Sequence, residues 1–241
     1  LFLPKSGTYE VRIISFTPQF PADYSFHIRN LSADSTAVTV GNTVSRQFGA
    51  DTETAPFRVT VSAGQRIYFD DLISGGSNVG RLWYAEDGTL LPIAEFHRFL
   101  LPGTYYLLLD NYLGQPSTVE FRLLDLATAP TILTDRTIPA ASNGLEAQLY
   151  QFEVPSAQTA RVTSLSSNGV TDARWGLTNG IISIGFGQPV IDSFDTDVLP
   201  GTQWLIVDGD QGTPFTYSFS VSLIPTPAFA IPQIINLAPT I

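Results

Sequence analysis

Two histidines, His27 and His97, are the only imidazoles in the chain, and it has no cysteine. A nucleophilic triad needs a serine or cysteine on a strained elbow with a histidine in reach, and no G-x-S-x-G stands in the sequence. His27 falls on an outward strand position and His97 just ahead of a Leu-Pro-Gly corner, so both read as surface or loop residues. Zero cysteine removes disulfides, thiolate metal ligands and cysteine nucleophiles together. Paired carboxylates can hydrolyse glycosidic bonds, but 22 acids always offer pairs and nothing selects one of them. No catalytic residue is assigned, and the chain is expected not to be an enzyme.

The acidic clusters are the better site candidates. Asp208-Gly209-Asp210-Gln211-Gly212 has a D-x-D-x-G form, and Asp110-Asn111-Tyr112-Leu113-Gly114 stands in the matching place upstream. Asp192, Asp195 and Asp197 form a second cluster. Asp70-Asp71 is a third, to which no ion is assigned. Calcium takes about six to eight oxygens, and a loop with alternate carboxylates supplies several. Calcium at Asp208 and Asp210, or at Asp192, Asp195 and Asp197, is the one cofactor on offer. Against it, Asp and Gly are favoured in hairpin turns for backbone reasons, and no bidentate Glu follows at loop spacing. Among the aromatics, Trp83, Tyr84, Trp175 and Trp204 could form a carbohydrate platform; side chains of this size more often pack inside a core.

The elements that must position these residues are strands. Apolar residues alternate with polar ones at Tyr9-Val11-Ile13, Tyr24-Phe26-Ile28, Phe57-Val59-Val61, Val119-Phe121-Leu123, Tyr150-Phe152-Val154 and Tyr217-Phe219-Val221. A period of two means a strand with one buried face. Turn clusters such as Glu86-Asp87-Gly88, Ser142-Asn143-Gly144 and Thr178-Asn179-Gly180 separate them. No stretch of ten residues carries a helical stripe. The expected class is all-β, with jelly-roll-like antiparallel sandwiches.

The 241 residues are 44% hydrophobic and 14% charged, which is enough apolar chain for real cores. The net charge of −10 argues against nucleic acid, whose phosphates call for a basic surface. No apolar run is long enough for a membrane helix. A chain that opens on Leu1 and contains no Met is expected to be a processed form, a fragment or the ordered part of something longer.

The sequence repeats. Leu3-Pro4-Lys5-Ser6-Gly7-Thr8-Tyr9 recurs as Leu101-Pro102-Gly103-Thr104-Tyr105 and again as Leu199-Pro200-Gly201-Thr202-Gln203. Phe26, Phe121 and Phe219 follow at matching distances, and Trp83 and Trp175 recur once. A period of roughly 95 residues is one sandwich per repeat.

Three stretches carry a family resemblance: Phe57 to Phe69, with its Ala63-Gly64 turn; Leu82-Trp-Tyr-Ala-Glu-Asp-Gly88; and Leu101-Pro-Gly-Thr-Tyr-Tyr-Leu107. Together they resemble the bacterial pre-peptidase C-terminal domain, closely over residues 40–126 and loosely over 137–224. The resemblance implies a compact antiparallel sandwich on secreted or surface proteins of bacteria, and no catalysis. Residues 1–31 then read as the closing hairpin of a preceding or incomplete repeat. Residues 32–127 and 128–225 read as two sandwiches, and 226–241 as an apolar tail or the start of another repeat.

Asp210 is the last charged side chain, and Phe229, Ile231, Ile234, Ile235 and Leu237 make the final stretch apolar. At the other end Tyr9, Val11 and Phe26 belong to a hairpin without the front of its sandwich. Open apolar strands are avoided in natural sheets. The expectation is that the tail of one subunit adds to the N-terminal region of the next, giving a head-to-tail filament. The partners are then other copies of the chain, or neighbouring repeats of a longer one. The role expected is structural or adhesive; the alternative is a polysaccharide- or protein-binding accessory region of a secreted hydrolase.

Overall fold

Period-two patterning becomes fifteen strands in the computed structural model, which describes residues 8–12, 26, 28–74, 78–91, 102–168, 173–179, 183–209 and 212–225. Strand makes up 59% and helix 5%, so the class is all-β. Among the described residues the one α-helix, α1 (Leu31–Asp34), is one turn long and is capped by Asn30, whose side chain accepts from the Ser32 amide.

In the first half of the chain, β1 (Thr36–Val38), β3 (Glu53–Val61), β5 (Gly80–Ala85) and β6 (Gly103–Asn111) form a first sheet in the order β1-β3-β6-β5. A second sheet, β2-β7-β4, is made from β2 (Thr43–Phe48), β4 (Ile67–Ser74) and β7 (Ser117–Asp125). The inward residues of both meet in one core: Phe57, Val59, Ile67, Phe69, Trp83, Leu107, Leu109, Phe121 and Leu123. Phe121 anchors it, edge-on to Phe57 at 5.5 Å and stacked on Phe69 at 5.2 Å.

The second half forms two further sheets from β8 (Ile138–Ser142), β9 (Gln148–Val154), β10 (Gln158–Asn168), β11 (Arg174–Thr178), β12 (Ser183–Pro189), β13 (Phe194–Val198), β14 (Gly201–Asp208) and β15 (Phe215–Pro225). The third sheet runs β12-β11-β14-β9 and the fourth β13-β10-β15-β8. Thus β3-β6-β5 and β2-β7-β4 have the connectivity of β9-β14-β11 and β8-β15-β10. A register shift follows the residue opposite Phe121 on β4 and the residue opposite Phe219 on β10. The core of this half holds Phe152, Val162, Trp175, Leu177, Leu205, Val207, Phe219 and Val221, and shares no residue with the first. Tyr150 and Tyr217 satisfy each other's hydroxyls within it at 3.0 Å.

The Ser142-Asn143-Gly144 turn has a specific steric demand. Gly144 has φ +86°, and a Cβ there would lie 2.2 Å from the Thr213 carbonyl oxygen. Asn143 and Ser142 then turn their side-chain oxygens onto the Gly144, Leu145 and Glu146 amides.

Two expectations need correction. Residues 8–12, 26 and 28–30 are not in strands, and Tyr9, Val11 and Phe26 are each about half exposed. Alternation alone does not hold a hairpin, which is marginal without further strands to bury its apolar face. Trp83 and Trp175 both point into cores, at 2% and 0% exposure, but not at matching registers. Trp83 lies opposite Leu107, four residues past Gly103, whereas Trp175 lies opposite Val207, six past Gly201.

Candidate functional site

The outward positions of two of the sheets are not solvent positions. On β4 and β7, Ile67, Phe69, Phe121 and Leu123 face the first core, which turns Tyr68, Asp70, Arg122 and Leu124 to the opposite side. On β9 and β14, Tyr150, Phe152, Leu205 and Val207 face the second core, turning Leu149, Gln151, Trp204, Ile206 and Asp208 outward. These two outer faces meet. Tyr68, Leu126, Ala129, Ala147, Trp204 and Ile206 form a third buried cluster, with Leu124 and Leu149 packed on it. The sandwiches therefore lie broadside, and the four sheets stack in chain order.

Several polar groups at this junction pair across it. Trp204 donates from Nε1 to the Leu126 carbonyl at 2.8 Å, and the Arg66 guanidinium lies over the Trp204 ring at 5.1 Å. Arg66 also donates to the Asn179 carbonyl at 2.8 Å. The Tyr68 hydroxyl, on a side chain with no exposed surface, donates to Asp208 at 2.7 Å. Leu126 is presented by a 3₁₀ turn (Leu126–Thr128), which Asp125 caps by accepting from the Ala127 and Arg66 amides.

The charged centre is a clamp on the backbone of one residue. Asp70 and Arg122 are cross-strand neighbours on β4 and β7, with Arg122 Nε donating to Asp70 Oδ2 at 2.5 Å. The Ala147 amide donates to both Asp70 oxygens at 3.3 Å, and Arg122 Nη2 donates to the Ala147 carbonyl at 3.2 Å. Arg122 Nη1 also pairs with Glu146 at 3.1 Å. Asp70 is fully buried, and that burial raises its pKa to about 6 against the pull of Arg122 and the Ala147 amide. Burial likewise pushes the Tyr68 hydroxyl far up, so it stays a donor at every ordinary pH. The arrangement joins the two sandwiches through Asp70, Arg122 and the Ala147 backbone.

The acids chosen from the sequence lie elsewhere or serve other partners. Asp195 is gripped by Arg161 through two hydrogen bonds of 2.7 and 2.6 Å, and Asp197 accepts from Thr159 at 2.9 Å. Asp192 is exposed in the turn before β13, and its carbonyl accepts from Trp175 Nε1 at 3.1 Å. Asp208 serves Tyr68. In the matching upstream turn, buried Asn111 reaches the Gly49, Asp51 and Gln115 carbonyls, a backbone role. Among the described residues no three His, Asp or Glu side chains are grouped to hold a metal. Asp210, His27, His97, Phe229, Ile231, Ile234, Ile235 and Leu237 lie outside the described residues. All three tryptophans are buried, so none offers a ring to a sugar. Among the described residues no helix is long and apolar enough to cross a membrane.

Alternation marks only the inward half of each strand, so it does not point to the junction residues. The signal lay in strands apolar on both faces: Trp204-Leu205-Ile206-Val207, Ile67-Tyr68-Phe69 and Leu123-Leu124. Such continuous runs mark sheets covered on both sides.

No family model matches the chain, and no curated protein does. Among solved structures, the pre-peptidase C-terminal domain of a collagenase from Bacillus anthracis is 24% identical over 39% of this chain and 94% of its own, with a TM-score of 0.35. The CUB1-EGF-CUB2 region of human MASP-1/3 is 10% identical over 75% of this chain and 99% of its own, with a TM-score of 0.27. A structure of Sulfolobus Turreted Icosahedral Virus is 8% identical over 86% of this chain and 98% of its own, with a TM-score of 0.26. The fold class rests on the strands themselves.

Proposed function

We propose that the chain is a non-enzymatic structural or adhesive protein of the bacterial cell surface or extracellular space, built from tandem sandwich repeats. The observation that supports this is the junction. Domains joined by a linker move relative to one another by default. Here Trp204, Ile206, Tyr68 and Leu126 are buried between the sandwiches, and a charged clamp fixes the angle. A stiff two-domain unit is what a spacer or filament body needs and what a catalytic domain does not. The motifs over residues 40–126 support the surface or secreted setting.

Within this reading, the subunits assemble head-to-tail through residues 226–241 and the region of Tyr9, Val11 and Phe26. The exposure of those three apolar side chains favours it. The test is deletion of residues 226–241 followed by sedimentation velocity. The full chain is expected to form large species and the truncated chain to stay a monomer; a full chain that is monomeric at high concentration refutes assembly. The second reading, an accessory region of a secreted hydrolase, is favoured instead by polysaccharide binding on a glycan array.

A further inference from the structure

We propose that closure of the junction takes up a proton at Asp70, so that the two sandwiches hold together more tightly as the medium is acidified.

The argument starts from charge and geometry. Asp70 lies on the outer face of β4 with no exposed surface, and what covers it includes the Ala147 peptide of the other sandwich. The groups that face it are Arg122 on β7 and Glu146 ahead of β9. On its own strand Tyr68 and Asp71 are close enough to act on the same field, and Asp208 on β14 joins through Tyr68. Asp71 is paired with Arg81, and Asp208 accepts from the Tyr68 hydroxyl. Asp70 and Glu146 are left sharing one guanidinium. The clamp therefore holds one more negative than positive charge, with Asp70 fully buried and Glu146 at the solvent edge.

Closure changes the two carboxylates unequally. In an open state Asp70 keeps its cross-strand neighbour Arg122 and regains water, so its carboxyl titrates no higher than the ordinary carboxylate range. In the closed state it loses that water, the largest influence on it, and its pKa rises to about 6. Glu146 stays 41% exposed in the closed state and keeps contact with solvent. A group that binds its proton more tightly in one state draws the equilibrium toward that state as pH falls. The window runs from the closed-state value of about 6 down to the ordinary range near 4. The protonated carboxyl still accepts from the Ala147 amide through its carbonyl oxygen, and Arg122 keeps Glu146 and the Ala147 carbonyl. The clamp therefore survives protonation.

The reporter is the Ala147 amide proton, which Asp70 holds. Native-state hydrogen exchange on the full chain, corrected for intrinsic rates, should show its protection about tenfold higher at pH 5 than at pH 7. The amide of Phe219, in the second core, reports unfolding of that sandwich, and its protection should exceed that of Ala147 at both pH values if Ala147 exchanges through opening of the junction alone. In Asp70→Asn the difference between the two pH values should vanish. If that variant does not fold, Glu146→Gln removes the competing carboxylate and should move the change to lower pH. Equal or lower Ala147 protection at pH 5, or an unaltered pH dependence in either variant, overturns the proposal.

Discussion

The second and fourth sheets share a framework, β2-β7-β4 and β8-β15-β10, with Phe121 and Phe219 at the same inward place. Their outward faces differ. Around Phe121 the second sheet presents Glu120, Arg122 and Leu124, with Tyr68 and Asp70 opposite them on β4. Around Phe219 the fourth presents Ser218, Ser220 and Ser222, with Arg161 and Thr163 opposite on β10. In the first set Tyr68 and Asp70 are fully buried and Leu124 packs on the cluster between the sandwiches; in the second Arg161 is exposed and the Ser-Thr positions are half-buried. Inward residues thus decide that a sheet forms, and outward residues decide whether anything lies on it. A Ser-Thr face has little apolar surface to gain from a partner at about 25 cal/mol per Å².

The largest effect expected from this difference is at Arg122. Arg122→Ala leaves Asp70 buried without a cation, a change that costs about 3–5 kcal/mol. Urea unfolding at pH 7 should show that loss. At pH 5 the cost should shrink, because Asp70, with its raised pKa of about 6, is then mostly neutral in the folded state. By the same linkage, Asp70 contributes stability below about pH 4 that is lost as pH rises through 6. Ser220→Ala, at the equivalent place on β15, should change stability by less than about 0.5 kcal/mol. Equal costs at the two sites would break the comparison.

Tyr68→Phe is the next step down. It keeps the ring in the junction and removes the donor that Asp208 accepts from, at a cost of about 1–3 kcal/mol. Smaller still is the effect on stability of Ser218→Leu with Ser222→Leu, within about 0.5 kcal/mol. Made in the chain lacking residues 226–241, which is expected to be a monomer, that double variant should give the fourth sheet the apolar character of the second, and sedimentation velocity should then show self-association through faces. A variant that stays monomeric would mean that outward apolar residues are not sufficient, and that the clamp around Ala147 is also required.

How far this was legible in the sequence follows from the same two faces. Tyr150-Phe152-Val154 and Tyr217-Phe219-Val221 announced strands, because alternate side chains must point the same way. The turn at Ser142-Asn143-Gly144 was equally plain from its residue types. The pairing of Asp70 with Arg122 and of Tyr68 with Asp208 was not, since these partners lie 52 and 140 residues apart. Nothing local fixes which outward face meets which. The Trp83–Trp175 match misled by two residues because tryptophan fills a core from more than one register. Tyr9-Val11-Ile13 had the right period, but no strand forms over residues 8–12, where period alone supplies no neighbour to bond with.

The smallest effect expected concerns calcium and the acids at the edge of the fourth sheet. Asp195 and Asp197 alternate along β13 on the same face as Arg161 and Thr159, and both are engaged there. An ion at Asp195 must displace a bidentate guanidinium, and Asp192 stands apart in the preceding turn. At Asp208 an ion must displace the Tyr68 hydroxyl from inside the junction. A site with a dissociation constant near 1 mM, saturated to half by 1 mM calcium, stabilises by only about 0.4 kcal/mol. The melting temperature should therefore move by no more than about 2 °C between 1 mM calcium and EDTA. A rise of about 10 °C would show that one of these acid sets holds an ion tightly. Asp195→Asn and Asp208→Asn would then tell which. If Asp195 were responsible, the fourth sheet would have a ligand of its own, and its polar outer face would be a binding surface in its own right rather than the unpartnered counterpart of the second.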